Sequence, residues 1–290
     1  MVGTNCIGNR FKKPRINTMA ALRSVIHLLW MIIFVIPTAL YMVALSPFVS
    51  KDHQFKAARF FLARAIYGLR AICGVNWRVT GLENLPGLGP DGKQMPAILL
   101  VKHQSQFETF LMPLIMPRPL AYVFKKELLY VPFFGWGIGL TDMVYIDRKL
   151  GKQAFQKVAE QGKRLLARGT WVIMFPEGTR IPRGKVGQYK TGGTRLAIET
   201  GAPVVPIAVT SAKCWPRKAF IKVPGVVDVS IGKPISSEGR QPDELMVQVQ
   251  AWIEAEMQRL DPEAYPQSGP TAQTSQASQT AAIATTSQPG

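Results

Sequence analysis

The feature that most constrains this chain is an uncharged apolar run near its start, from Val25 to Leu45. At about 1.5 Å of rise per helical residue, such a run reaches across the roughly 30 Å hydrocarbon core of a bilayer. Pro37 lies inside the run, where proline is expected to kink a helix. A cleavable signal peptide is the competing interpretation, but the run is long for one and no small-residue cleavage site closes it. The run therefore predicts a membrane-inserted helical segment.

Basic residues lie on both sides of this run. They are Arg10, Lys12, Lys13, Arg15 and Arg23 before it, and Lys51, Lys56, Arg59 and Arg64 after it. A single span would place one group outside, against the tendency of basic residues to stay on the cytoplasmic side. A hairpin bent near Ser46-Pro47, or kinked at Pro37, keeps both groups on the cytoplasmic face. If Met19 is the true start, only Arg23 precedes the run, and a single span is equally acceptable.

A second apolar stretch, from Phe60 to Val75, is interrupted by Arg64 and Arg70. The pattern is typical of an amphipathic helix at a membrane interface, with its arginines reaching the headgroups. A first helix of the globular domain would give the same pattern, so both interpretations stay open.

Beyond Trp77, short apolar runs alternate with segments of helical periodicity. Runs at 97–101, 120–124, 171–175 and 204–209 predict buried strands, and the alternation at 226–231 is typical of an edge strand. Helical spacing recurs over 155–166, before a stop at Gly169, and over 245–260. We therefore predict an α/β domain with a mixed sheet flanked by helices.

Four regions follow from these patterns. We expect a basic N-terminal extension at 1–18, a membrane-associated helical segment at 19–75, the α/β domain at 76–262 and a tail at 263–290. From Pro266 onward the tail carries no charge and few large apolar residues. Because such a composition cannot bury a core, the tail is predicted to be disordered.

The charge balance points to an anionic partner. Lys and Arg number 35 against 18 acidic residues, a formal net charge of +17. Nucleic acid, anionic lipid and a phosphorylated substrate all fit this excess. We expect no nucleic acid, because the first 75 residues resemble a membrane segment and no recognition-module motif is present. The three cysteines and three histidines are scattered, which predicts neither a disulfide framework nor a metal site and favours a reducing compartment.

His103 directly follows the predicted strand 97–101, and Glu108 lies five residues further on. Five residues of a straight helix turn through about 500°, so the two side chains meet only across a strand-to-helix turn. Ser105-x-x-Glu108 supports such a turn, because it has the form of a capping box with Ser105 as the N-cap. Glu108 then either caps the helix alone or also orients His103 as a general base.

Three further motifs follow in order. Tyr145-Ile-Asp-Arg148 comes after a glycine-rich stretch, Glu177-Gly-Thr-Arg180 follows a predicted strand, and Val204-Val-Pro-Ile207 lies within one. Together with His103-x4-Glu108 and the Lys-Lys-Glu-Leu segment at 125–128, they resemble the 1-acylglycerol-3-phosphate acyltransferases of the glycerolipid acyltransferase superfamily. The resemblance covers about Trp77 to Pro234, and its one departure is Glu108, where the usual residue is aspartate.

The resemblance implies transfer of a fatty acyl group from a thioester to the sn-2 hydroxyl of lysophosphatidic acid, which gives phosphatidic acid in phospholipid biosynthesis. It implies that His103 is the general base and that Glu108 orients it. Arg180, with Arg148 as a second candidate, would bind the acceptor phosphate, and Glu177 would hold Arg180 in place. The substrate-binding residues that it implies are Arg148, Glu177, Gly178, Thr179, Arg180 and Lys126. No metal or cofactor is implied, since acyl-CoA or acyl-carrier protein is a co-substrate.

The implied partners are membrane lipid, lysophosphatidic acid and the acyl donor, at the inner membrane with the catalytic domain on its cytoplasmic face. Within the superfamily, a lyso-phospholipid or lyso-ornithine lipid is the alternative acceptor. A second alternative is an esterase or transacylase with Ser105 as nucleophile, although the Gly-x-Ser-x-Gly turn of such enzymes is absent. A third is a non-catalytic membrane-associated protein, with Glu108 marking lost activity.

Overall fold

The computed structural model describes residues 18–89, 92, 94–147 and 151–265. Within these residues, seven strands form one sheet. They are β1 (Val75–Thr80), β2 (Ile98–Val101), β3 (Leu120–Lys125), β4 (Val144–Ile146), β5 (Trp171–Met174), β6 (Val204–Val209) and β7 (Gly225–Ile231). The α-helices are α1 (Thr18–Leu45), α2 (Lys51–Cys73), α3 (Phe107–Ile115), α4 (Phe134–Leu140), α5 (Gly151–Ala167), α6 (Gly192–Thr200) and α7 (Pro242–Leu260). Residues 1–17 of the predicted extension and residues 266–290 of the predicted tail lie outside the described residues.

The sheet is mixed, with strand order β1-β7-β6-β2-β5-β3-β4. Strands β6, β2, β5, β3 and β4 run parallel to one another, and β7 pairs antiparallel with β6 and parallel with β1. Helices cover both faces, so the predicted fold class is confirmed. Because the carboxyl ends of parallel strands meet at one edge of a sheet, the turns that follow β2, β3, β4 and β5 share that edge.

The central strand β2 shows why both faces are covered. All four of its residues are buried, and their side chains alternate between two cores. Leu99 and Val101 join the core beneath α2 and α3, whereas Ile98 and Leu100 join the core beneath α6 and α7. The strand is therefore fixed from two sides up to the residue where it ends.

Two strand assignments differ from the sequence-based expectation. The alternating segment at 226–231 was expected at an edge, but β7 lies between β6 and β1. The edge is formed by β1, which was not predicted and which carries exposed polar side chains at Arg78 and Thr80. The alternation in β7 arises because Asp228 and Ser230 occupy buried positions with polar partners: Asp228 accepts from Arg78 at 2.9 Å.

The two N-terminal helices form an antiparallel pair. His27 Nε2 lies 2.9 Å from the Ala65 carbonyl, and Trp30 Nε1 donates to the Arg64 carbonyl at 2.8 Å. Helix α1 continues through Pro37 without a break, and the chain reverses over 46–50, near the predicted bend at Ser46-Pro47. Helix α2 begins at Lys51 rather than Phe60, and its buried side belongs to the core of the sheet.

Helix α1 is attached to the globular domain at both ends. Near its start, Ser24 Oγ accepts a hydrogen bond from the Lys222 amide at 2.9 Å. Just beyond its end, Lys51 Nζ donates to the Leu140 carbonyl at 2.8 Å. The 28 residues between Thr18 and Leu45 span about 42 Å at 1.5 Å per residue. The helix therefore lies along the domain and does not project away from it.

Among the described residues, α1 is the helix long and apolar enough to cross a membrane. Its large apolar side chains face outward, and only 11% of its most apolar window is buried. Exposed members of this face are Leu22, Val25, Ile26, Leu29, Ile32, Ile33, Leu40 and Val43. Apolar patches of this extent mark contact with a membrane or another protein. The apolar face therefore indicates membrane association, and the attachment of both ends favours the hairpin over a single span.

This arrangement predicts the sidedness of α1. In vesicles, we expect cysteines introduced at Thr18 and Glu83 to react with a membrane-impermeant maleimide from the same side, because both positions belong to one body. A cysteine at Phe48, which is 83% exposed at the tip of the hairpin, should be protected by lipid. Labelling of Thr18→Cys from the side opposite to Glu83→Cys would establish a span. All of these variants also carry Cys6→Ser. The other two cysteines, Cys73 and Cys214, can stay because they are buried.

Candidate active site

The candidate site is built around the turn between β2 and α3. Strand β2 ends at Val101 and α3 begins at Phe107, so His103 lies in the turn and Glu108 in the first helical turn. Glu108 Oε1 accepts from His103 Nδ1 at 2.9 Å. The predicted meeting of these two side chains across a strand-to-helix turn is confirmed.

Glu108 also caps α3, so its two proposed roles coexist. The same Oε1 atom accepts from the Gln104 and Ser105 amides at 2.6 and 2.7 Å, and Oε2 accepts from Ser211 Oγ at 2.7 Å. The bond to the Ser105 amide is the one that the capping box predicts. The predicted N-cap is wrong by one residue: Gln106 holds that position, while Ser105 Oγ accepts from the Phe107 amide at 3.2 Å.

The imidazole of His103 is held by Glu108 at Nδ1 and by Phe175 against its face. Its ring stacks on Phe175 with centroids 3.8 Å apart and planes inclined by 14°, and 13% of the side chain is exposed. A carboxylate at Nδ1 favours the tautomer with the proton on that nitrogen, which leaves the Nε2 lone pair to accept a proton. No described residue hydrogen-bonds Nε2. The ring can therefore act as a general base at that atom.

The backbone of His103 is clamped by the turn after β5. Glu177 Oε2 accepts from the His103 amide at 2.8 Å, and the Ile181 amide donates to the His103 carbonyl at 2.7 Å. Glu177 is 3% exposed, and its Oε1 lies 2.7 Å from Lys102 Nζ. The expectation that Glu177 holds Arg180 is therefore wrong, because both carboxylate oxygens face Lys102 and His103.

The remaining residues of this turn lie beside the histidine. Gly178 has φ of 63°, which favours glycine, and its amide donates to the Phe175 carbonyl at 2.9 Å. Thr179 is exposed and Arg180 is half-buried. Burial lowers the pKa of Arg180, while the Glu108 carboxylate raises it and Arg217 lowers it further. The guanidinium thus lies within electrostatic reach of Glu108.

Lys126 and the Tyr-Ile-Asp-Arg motif meet at the same edge of the sheet. Lys126 follows β3, Asp147 follows β4, and Lys126 Nζ lies 3.6 Å from Asp147 Oδ2. Lys126 is partly exposed, which leaves its ammonium open to solvent. Arg148, the next residue of the motif, lies outside the described residues.

Sequence reasoning missed five residues around the histidine. They are Lys102, Ser211, Arg217, Glu254 and Tyr189. The sequence offered a sign only for Lys102, a charge placed directly after four buried strand residues. The others come from segments distant in the chain, and only the fold brings them to the site.

Comparisons with known proteins identify the family of the chain. The family model described as Acyltransferase matches residues 76–210. The chain is 40% identical to the 1-acyl-sn-glycerol-3-phosphate acyltransferase of Pseudomonas aeruginosa over 226 residues, which cover 75% of this chain and 85% of that protein. It is 30% identical to the enzyme of the same name from Saccharomyces cerevisiae over 208 residues, which cover 69% of this chain and 64% of that protein.

A solved structure shares the fold. The 1-acyl-sn-glycerophosphate (LPA) acyltransferase PlsC from Thermotoga maritima matches with a TM-score of 0.67, at 23% identity, over 84% of this chain and 95% of that chain. The region matched by the family model contains the His103–Glu108 turn and the Glu177–Arg180 turn. The resemblance inferred from the motifs is thereby confirmed, and the chain belongs to the 1-acyl-sn-glycerol-3-phosphate acyltransferase family.

Proposed function

We propose that this chain transfers a fatty acyl group from a thioester to the free sn-2 hydroxyl of lysophosphatidic acid. The observation that carries the proposal is the His103 ring, held at Nδ1 by Glu108 and open at Nε2, beside the half-buried Arg180. The chain is 40% identical to one 1-acyl-sn-glycerol-3-phosphate acyltransferase, and the Acyltransferase family model covers the motif region. We assign phosphatidic acid as the product and phospholipid biosynthesis as the role.

In the proposed reaction, His103 Nε2 takes the proton of the sn-2 hydroxyl as its oxygen attacks the thioester carbonyl. A carbon–oxygen bond forms, and the carbonyl oxygen becomes an oxyanion. When the carbon–sulfur bond breaks, the oxyanion returns to a carbonyl and the thiolate leaves with the proton from His103. Glu108 stabilises the transient imidazolium, because its carboxylate is fixed against Nδ1. The ester and the free thiol of acyl-CoA or acyl-carrier protein are the products.

Arg180 is the proposed phosphate ligand. A guanidinium binds a phosphate through two parallel hydrogen bonds, and burial at the edge of the site strengthens such a contact. Arg148 is a second proposed ligand, and Lys126 supplies a further ammonium at the same edge. Gly178 allows backbone to approach the ligand closely, and the exposed Thr179 hydroxyl is available to it.

We further propose that the enzyme lies on the cytoplasmic face of the inner membrane. The apolar face of α1 supplies insertion, and the net charge of +17 supplies attraction to anionic headgroups. The alternative acceptors are a lyso-phospholipid or lyso-ornithine lipid, which also present a hydroxyl beside an anionic group. Turnover across a panel of these acceptors, with acyl-CoA and acyl-carrier protein as donors, identifies the acceptor and the donor.

The geometry disfavours the alternative with Ser105 as nucleophile. Ser105 is 1% exposed, and its oxygen accepts from the Phe107 amide at the start of α3. His103 bonds Glu108 through Nδ1, and no described hydrogen bond joins its ring to Ser105. A buried capping hydroxyl cannot reach an acyl donor, whereas the histidine can.

The test of the proposed function compares His103→Ala with Ser105→Ala. We expect His103→Ala to lower kcat by about a hundredfold to ten-thousandfold, the range that general-base catalysis supplies. Ser105→Ala should lose about 1 kcal/mol of stability and keep its turnover per folded molecule, because it removes only a cap. Phosphatidic acid formation is measured beside circular dichroism and membrane binding. Normal turnover in folded His103→Ala would refute the mechanism, and equal loss in Ser105→Ala would favour a serine nucleophile.

For Arg180→Ala we expect the apparent KM for lysophosphatidic acid to rise by about tenfold to a hundredfold, as the loss of one charge-assisted contact predicts. The KM for the thioester should change less. Arg180→Lys should restore the acceptor KM only in part, because an ammonium lacks the planar fork. Arg195→Ala, an exposed arginine on α6, is the matched control. An unchanged acceptor KM and kcat in Arg180→Ala would remove this residue from the phosphate site.

Glu108→Gln separates the two roles of this side chain. The amide oxygen can keep the three donors at Oε1, and the Ser211 hydroxyl can turn to accept from the new NH2 group. We therefore expect stability within about 1 kcal/mol of the unmodified protein, but kcat lower by about a hundredfold because the charge is lost.

Glu108→Asp keeps the charge and shortens the side chain by one methylene. Its kcat should lie between those of Glu108→Gln and the unmodified protein. Thermal unfolding of both variants is measured together with kcat, so that kcat can be expressed per folded molecule. Full turnover per folded molecule in Glu108→Gln would leave Glu108 as a helix cap with no part in catalysis.

A further inference from the structure

A buried ionic cluster lies next to the backbone of His103. Lys102 is fully buried at the end of β2, and its Nζ lies 2.7 Å from Glu177 Oε1 and 2.7 Å from Glu254 Oε1. Glu254 comes from α7 and also accepts from Tyr189 OH at 2.7 Å. Lys102 therefore joins the turn after β5 to the C-terminal helix, which lies outside the region matched by the family model.

The cluster contacts the His103 backbone through Glu177, and Tyr265, which lies near the cluster, accepts from Gln104 Nε2 in the same turn at 2.6 Å. Glu177 faces Lys102 with Oε1 and accepts from the His103 amide with Oε2 at 2.8 Å. A charged carboxylate is a stronger acceptor than a neutral acid, so the state of Glu177 sets the strength of this bond. The position of the His103 backbone therefore depends on the charge of a buried group that does not touch the imidazole.

The charges in the cluster do not cancel. One ammonium faces two carboxylates, and the other groups near them are the hydroxyls of Tyr189 and Tyr265. Burial raises the pKa of Glu177, Lys102 and the His103 amide oppose that rise, and Glu254 adds to it as a like charge. Burial alone would lower the pKa of Lys102, but the two carboxylates raise it above its usual value. The Lys102 ammonium thus favours the ionised form of Glu177.

We propose that Lys102 and Glu254 are positioning residues for the reaction proposed above, acting on His103 through the charge of Glu177. Lys102 favours the ionised form of Glu177, which accepts the hydrogen bond from the His103 amide more strongly than a neutral acid would. Glu254 holds the ammonium from the opposite side and sets how readily Glu177 takes a proton. Lys102 is fully buried, and Glu254 Oε1 is turned to Lys102 and Tyr189, so both residues are assigned a positioning role.

The proposal predicts opposite pH shifts for two variants. Lys102→Met removes the cation, so Glu177 protonates more readily. The fall of kcat at low pH, which is the acid limb of its pH profile, should therefore move to higher pH. Glu254→Gln removes a like charge and keeps the acceptor for Tyr189, so that limb should move to lower pH. General loosening of the site would not shift the two profiles in opposite directions. Shifts of the same sign, or no shift in either variant, would overturn the proposal.

A double variant tests the route through Glu177. Lys102→Met alone should lower kcat by about tenfold to a hundredfold, the cost of a small misplacement of a catalytic group, with little change in the acceptor KM. Adding Glu177→Gln should recover part of that loss, because an amide oxygen accepts from the His103 amide without a neighbouring cation. A double variant no more active than Lys102→Met would refute the route.

The matched control is Asp261→Asn. Asp261 is buried and binds Arg183 through two hydrogen bonds of 2.8 and 2.7 Å, so it also joins the turn after β5 to the end of α7. It makes no described contact with Glu177 or His103. We expect it to lower the melting temperature while leaving kcat and the acid limb unchanged. A pH shift in this control equal to that of Lys102→Met would assign the effect to loosening of α7.

Amide hydrogen exchange distinguishes failure of this proposal from failure of the proposed function. In Lys102→Met, exchange at the His103 amide should accelerate, and Glu177→Gln added to it should restore protection. This readout requires no turnover. If the His103 amide exchanges faster in Lys102→Met but the unmodified protein acylates no acceptor, the positioning role stands and the proposed function is rejected. Unchanged exchange beside measurable acylation would reject the positioning role alone.

Discussion

The carboxylate of Glu108 is the constraint on which the site depends. It is buried, and a carboxylate is stable inside a protein only when donors surround it. His103, Gln104 and Ser105 donate from the turn, and Ser211 donates from the segment after β6. These donors meet only if β2, α3 and β6 are in register. The packing of the sheet and the orientation of the imidazole therefore both depend on bringing these donors to the Glu108 carboxylate.

The order of the sheet explains why scattered motifs form one site. Strands β2, β5, β3 and β4 are parallel neighbours, and the described residues of the site follow their carboxyl ends. His103 follows β2, Glu177 and Arg180 follow β5, Lys126 follows β3 and Asp147 follows β4. The motifs are far apart in sequence but adjacent along one edge, as expected for ligand sites of α/β sheets.

The sequence was informative where the controlling interaction is local. The five-residue separation of His103 and Glu108, with Ser105 between them, determined their geometry because the turn and the first helical turn leave little freedom. The same reasoning failed for Glu177. A motif gives the position of a residue but not the direction of its side chain, and this carboxylate points to Lys102 and away from Arg180.

Interactions between segments that are distant in the chain could not be predicted from the sequence. Lys102 and Glu254 are separated by 152 positions, and nothing in either segment indicates that they pair. The same holds for β1, whose partner β7 is about 150 residues away. The alternation in β7 was misassigned to an edge because buried polar residues with partners, such as Asp228, produce the same pattern as solvent exposure.

The attachment of α1 at both ends has a consequence for kinetics. A helix that lies along the domain, with its apolar side chains outward, sets the height and tilt at which the domain rests on a bilayer. The proposed acceptor is a lipid, so it would reach such a site by lateral diffusion within the leaflet. The concentration that governs the rate is then a mole fraction in two dimensions. Diluting the acceptor with inert lipid would slow the reaction even when its total amount in the sample stays constant.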